Sequence, residues 1–68
     1  MEIFAKRLKG LRDERELTAR YMATVLKMSP RAYLRYEKNT SEPTQENLVK
    51  IAKFFGVTAD YLLGMAEV

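Results

Sequence analysis

A chain of 68 residues allows one domain, and a thin core within it, because a domain this small buries only about 60% of the surface its unfolded chain exposes. It holds no cysteine and no histidine, which excludes disulfide staples, thiolate catalysis and the usual zinc ligands. The net charge is only +3, and neither a signal-peptide pattern nor an apolar run of roughly 18–20 residues is present, so a cytoplasmic protein without a membrane partner is expected.

Ile3, Phe4, Leu8 and Leu11 recur at helical spacing between Lys and Arg, which predicts a first helix from about Glu2 to Arg15. Gly10 lies inside it and weakens it by ~1 kcal/mol relative to Ala, a cost that only close packing would explain. Thr18 is an N-cap for a second helix over about Ala19–Leu26, with Met22, Ala23 and Leu26 inward. After the joint Leu26-Lys27-Met28, Ser29 caps a third helix, and Pro30 suits its first position, where no N–H is needed. On this helix Tyr33 and Tyr36 share one face, while Arg31 and Arg35 share another. Asn39-Thr40-Ser41-Glu42-Pro43 reads as the one extended loop. Thr44 caps a fourth helix with Leu48, Ile51, Ala52 and Phe55 as its stripe, and Gly56 ends it in a left-handed conformation. Val57 packs back, Thr58 caps a fifth helix from Ala59 to Leu63, and Gly64 stops it before an apolar tail.

These elements predict an all-α, compact five-helix bundle, with residues 1–68 as a single domain. The expected core is Phe4, Leu8, Leu11, Leu17, Met22, Ala23, Leu26, Met28, Tyr33, Tyr36, Leu48, Ile51, Ala52, Phe55, Val57, Leu62 and Leu63.

Charge is uneven along the chain. Residues 1–17 sum to +1, residues 18–38 to +4 and residues 39–68 to −2. The positive stretch holds Arg20, Lys27, Arg31, Arg35 and Lys38 against Glu37 alone. An α-helix fits the major groove of B-DNA, and an arginine fork bonds guanine O6 and N7 together. Arg31 lies in the first turn of the third helix and Arg35 one turn later, where a reading helix presents its side chains. The starts of the second and third helices, at Thr18 and Ser29, suit phosphate. An ordinary solvated basic face also fits the two arginines, and core filling fits Tyr33 and Tyr36 better than base stacking. Leu34 is either an exposed apolar side chain or a contact for a thymine methyl.

The joint spacing of several short motifs resembles the Cro and phage-repressor type helix-turn-helix family, also called the XRE family. They are Arg7-Leu8-Lys9-x-Leu11-Arg12, Leu17-Thr18, Met22-Ala23, Leu26, Ser29, Arg35-Tyr36-Glu37, Pro43-Thr44, Leu48, Ile51-Ala52, Phe55-Gly56-Val57 and Leu62-Leu63-Gly64, spanning about residues 7–64. The resemblance implies a lambda-repressor-like fold whose third helix enters the major groove, usually as a homodimer on a palindromic operator. Position by position it implies that Pro30, Arg31 and Arg35 face bases. Thr18, Ala19 and Arg20 then face phosphate, as do Lys38, Asn39 and Thr40. Arg12 and Glu37 match a pair that forms a structural salt bridge. The chain departs from the family at Ala19, where Gln is common, at Pro30, which donates nothing, at Lys27 in place of Gly, and at the acidic Glu42.

The reading that follows is a sequence-specific double-stranded DNA-binding regulator, most simply a small dimeric repressor. Phe54, Tyr61 and Met65 exceed what so small a core needs and form the candidate dimer surface. A protein-interaction module, antitoxin- or anti-repressor-like, is the alternative, favoured by Ala19, Pro30, Leu34 and Glu42. An enzyme is not expected, nor a metal, a cofactor or a small-molecule substrate, since Asp13, Glu14 and Glu16 read as a solvated helix end.

Overall fold

Hydroxyl residues open four of the helices. Thr18, Ser29, Thr44 and Thr58 have extended backbone, and each side-chain oxygen accepts from the main-chain N–H three residues on, at 3.0–3.1 Å. Each such cap satisfies a donor that a helix start leaves unpaired and contributes about 1 kcal/mol. The computed structural model describes residues 1–68. Its five helices are α1 Glu2–Glu14, α2 Ala19–Leu26, α3 Pro30–Glu37, α4 Gln45–Phe55 and α5 Ala59–Leu62.

All five helices end in the same way. In each, two crossed main-chain bonds close the last turn, such as Met28 N–H to the Ala23 carbonyl at 2.9 Å and Lys27 N–H to Thr24 at 3.1 Å. This Schellman arrangement needs a left-handed residue, and the five are Glu16, Lys27, Asn39, Gly56 and Gly64, with φ of 56°, 56°, 60°, 68° and 79°. Turning out of the helix at Glu16 makes Arg15 the last, capping residue of α1, and the turn at Gly64 does the same to Leu63 on α5. Both helices are therefore one residue shorter than the apolar pattern suggests. Gly64 also permits a close approach, since a Cβ there would lie 2.8 Å from the Ile3 side chain.

The core draws on every helix: Phe4, Ala5 and Leu8 of α1, Met22, Ala23 and Leu26 of α2, Tyr33 and Tyr36 of α3, Ile51, Ala52 and Phe55 of α4, and Leu62 of α5. Leu11, Leu17, Met28, Leu48 and Val57, expected inside, are half-buried and pack around its rim. Leu63 is half-buried as well. So small a bundle has too little interior for every apolar side chain. Ala5 is buried although the apolar pattern does not single it out, because alanine fits either side of a helix. Gly10 is exposed, with nothing within 4 Å of where its Cβ would stand, so close packing does not explain it. Gly10→Ala is expected to raise stability by about 0.5–1 kcal/mol, read as a higher urea midpoint at unchanged slope.

Two tyrosines and one ion pair set how α3 is turned. The Tyr36 ring stands edge-on to Phe4, centroids 6.0 Å apart, and its hydroxyl accepts from Asn47 Nδ2 at 2.9 Å. α3 is thus clasped by α1 and α4 along one side. Arg12 of α1 donates from Nε and Nη2 to the two carboxylate oxygens of Glu37, at 2.6 and 2.9 Å, and from Nη1 to the Leu17 carbonyl at 2.8 Å. The Tyr33 hydroxyl donates to the same carboxylate. The Glu37 side chain is 4% exposed and that of Arg12 15%. The hydrogen bonds to Glu37 hold the Arg12 guanidinium charged well above its ordinary range, against the opposing effect of burial. Burial first, then the bond to Glu37, pushes the Tyr33 phenol above its ordinary 10.0.

For Tyr33 the unfolded chain releases its proton near pH 10 while the folded chain keeps it, so the folded state binds more protons above that pH. Its contribution to stability is complete below about pH 10 and is lost as pH rises further. Urea titrations across this range are expected to show a steeper alkaline decline for the wild type than for Tyr33→Phe.

Candidate nucleic-acid interface

With Tyr33 and Tyr36 turned inward, the residues between them face out. Pro30, Arg31 and Arg35 are exposed and Leu34 is half-buried. Arg31, Leu34, Arg35, Lys38 and Thr40 line one shallow depression of about 420 Å³ on the outer side of α3. Ser29 caps α3 through Oγ, and Pro30 occupies its first turn. The joint from α2 depends on Lys27, held at φ 56° and ψ 47°, where a residue other than glycine costs roughly 1–2 kcal/mol.

Of the residues expected at phosphate, Lys38 and Thr40 line this depression. Thr18, Arg20, Ser29, Lys38, Asn39 and Thr40 are exposed. Thr18 and Ser29 use an oxygen lone pair as helix caps, which leaves each O–H free to donate. Thr40 Oγ1 donates to the Arg35 carbonyl at 3.3 Å, and Asn39 Oδ1 accepts from the Met1 amino group at 2.8 Å. The same amino group lies 3.8 Å from Glu42, which offsets that acidic charge. Ala19 is half-buried and packs on the core, so only its main-chain N–H is available there.

The distribution of ion pairs separates this face from the rest of the molecule. Lys6, Lys9, Arg12 and Lys50 pair with carboxylates of their own chain. Arg7 and Arg15 donate to main-chain carbonyls. Arg20, Lys27, Arg31, Arg35 and Lys38, all five cations of residues 18–38, have no such partner, and beyond that stretch only Lys53 lacks one. A cluster of unpaired positive charge beside a helix start attracts polyanions and binds them in a salt-dependent way.

Two arginines of α1 have tasks the sequence did not reveal. Arg15 caps the end of α4 through the Phe54 and Phe55 carbonyls at 3.3 and 3.0 Å. Arg7 donates to the Tyr61 and Ala66 carbonyls, and its guanidinium lies 4.1 Å from the Tyr61 ring centroid. The Arg15 bonds join residues 39 and 40 apart and the Arg7 bonds residues 54 and 59 apart, beyond any local pattern. They also correct the premise that Phe54 and Tyr61 are surplus to the core. Phe54 packs on the core and against Tyr21 and Phe55, and Tyr61 packs on the core beneath Arg7. Met65 is 75% exposed.

Comparison with known proteins agrees with this architecture. The Helix-turn-helix family matches residues 8–62. The chain is similar to the cryptic phage CTXphi transcriptional repressor RstR of Vibrio cholerae, 35% identical over 65 residues, 96% of this chain and 59% of that protein. It is similar to the HTH-type transcriptional regulator ImmR of Bacillus subtilis (strain 168), 33% identical over 63 residues, 93% of this chain and 50% of that protein. It is also similar to the HTH-type transcriptional activator BcrR of Enterococcus faecalis, 38% identical over 64 residues, 94% of this chain and 31% of that protein. The chain thus spans less than two thirds of the length of these relatives. No solved structure matches it.

Proposed function

Because the chain belongs to the Helix-turn-helix family, we propose that it is a sequence-specific, double-stranded DNA-binding domain of a transcriptional regulator, of the phage-repressor kind. The observation that carries this reading is the run of five unpaired cations over residues 18–38, three of which line one depression on α3. α3 enters the major groove with Arg31 and Arg35 toward guanine O6 and N7, and with Pro30 and Leu34 beside them. Thr18, the Ala19 N–H, Arg20 and Ser29 meet phosphate on one side, and Lys38, Asn39 and Thr40 on the other. Such contacts position the protein, and the arginines specify the site.

A homodimer on a palindromic operator is part of this reading, with two α3 helices about 34 Å apart in successive turns of groove. Exposed Met65, with the outer edges of Phe54 and Tyr61, supplies the contact between copies. Occupancy of the operator in the cytoplasm is the step by which this domain acts in repression. A second reading, docking of a protein on this face, is favoured by the apolar Pro30 and Leu34.

A salt series of duplex binding separates the two. Binding to DNA is expected to fall steeply with salt. Arg20→Ala and Lys38→Ala are expected to weaken all sequences alike and to reduce the log–log slope by about one for each phosphate no longer neutralised. Failure to bind any duplex at low salt would overturn the DNA reading in favour of a protein partner.

A further inference from the structure

Leu34 has no task in the fold. It is half-buried, yet it is not among the partly buried apolar side chains that pack on the core. It lines the depression on α3 together with Arg31, Arg35, Lys38 and Thr40. Pro30 lies one turn before it, so α3 carries an apolar strip, Pro30–Leu34, alongside a cationic strip, Arg31–Arg35.

This combination restricts what the depression can hold. No carboxylate lines it, and all three cations are unpaired. A phosphate would satisfy the cations but press charge against the leucine. An apolar peptide would satisfy the leucine but strip water from two guanidinium groups. A surface that offers a methyl group beside paired acceptors satisfies both. In the major groove the methyl belongs to thymine at C5, and the paired acceptors are guanine O6 and N7.

We propose that Leu34 is a specificity-determining residue that packs on the C5-methyl of a thymine, between guanines held by Arg31 and Arg35. This role rests on α3 lying in the major groove. Four residues of α-helix rise about 6 Å, close to two base-pair steps of about 3.4 Å. One base pair is thereby left between the two arginine targets, and Leu34 faces it. The contact is apolar and displaces no counterion, so it adds sequence preference without adding salt dependence.

The test starts from a duplex selected out of a random pool by the wild-type protein. Its affinity is compared with that of the same duplex carrying deoxyuridine at every thymine, which removes only the methyl groups. Both duplexes are titrated with wild type and with Leu34→Ala. Wild type is expected to bind the uracil duplex about fourfold more weakly for each methyl it covers, the value of burying one such group. Leu34→Ala is expected to bind the two duplexes alike, with the salt slope of wild type and an unchanged thermal midpoint. If uracil weakens both proteins equally, or neither, the assignment to Leu34 is wrong while DNA reading stands. Absence of binding to any duplex overturns DNA reading and this role for Leu34 together.

Discussion

Glu37→Ala is expected to destabilise the domain by about 3 kcal/mol, because it leaves a partly buried guanidinium without its counter-charge and the buried Tyr33 hydroxyl without its acceptor. Three donors converge on that carboxylate: Arg12 Nε, Arg12 Nη2 and the Tyr33 hydroxyl. The Leu17 carbonyl and Asp13, 3.5 Å away, remain near Arg12 after the change, but neither gives a buried bidentate partner. At roughly 0.05–0.15 kcal/mol per residue, a domain of this size has only a few kcal/mol in reserve. The variant should therefore lie close to its unfolding midpoint at room temperature. Removing the charges together, as Arg12→Met with Glu37→Leu, should recover much of the loss, since no buried charge is then stranded. Urea unfolding measures both, and a loss below about 0.5 kcal/mol for Glu37→Ala, the usual range of surface substitutions, would show the pair to be unimportant.

Arg31→Ala and Arg35→Ala are each expected to lose about 1–3 kcal/mol of binding to the preferred site, and much less to unrelated DNA. Both side chains are exposed and hold no partner in the folded chain, so their removal should leave stability unchanged. The loss then reads as specificity alone. This contrasts with Arg20 and Lys38, whose removal should weaken every sequence alike. Competition between the selected site and random duplex measures the ratio. A double arginine variant that kept the wild-type preference would refute the role given to α3.

Much of this fold is written locally. A hydroxyl cap and its main-chain N–H are three residues apart, so Thr18, Ser29, Thr44 and Thr58 announce the starts of their helices wherever the chain goes. Glycine marks the left-handed residue after a helix only at Gly56 and Gly64. Glu16 and Asn39 adopt the same conformation, φ 56° and 60°, without a glycine to mark it. Asn39 tolerates that conformation, whereas at Glu16 the crossed main-chain bonds that close α1 outweigh its intrinsic preference. The inward turn of Tyr33 and Tyr36 also follows from spacing, and it places Arg31 and Arg35 outside.

Capping and amphipathic spacing act within a few residues, so the helices, most of their limits and the two faces of α3 could be read from the amino acids in order. Which charges are free could not. Twelve Lys and Arg residues look alike in one dimension. Folding brings Arg12 to Glu37, Arg7 to the end of α5 and Arg15 to the end of α4, across 25 to 59 residues. Those arginines are thereby committed to structure, and Phe54 and Tyr61 are drawn onto the core. The run of five cations over α2, the joint and α3 is visible in the sequence, but it took the folded chain to leave those five unpaired and to set Leu34 beside three of them. Pairing depends on where distant carboxylates and helix ends arrive, and that is settled by packing rather than by spacing.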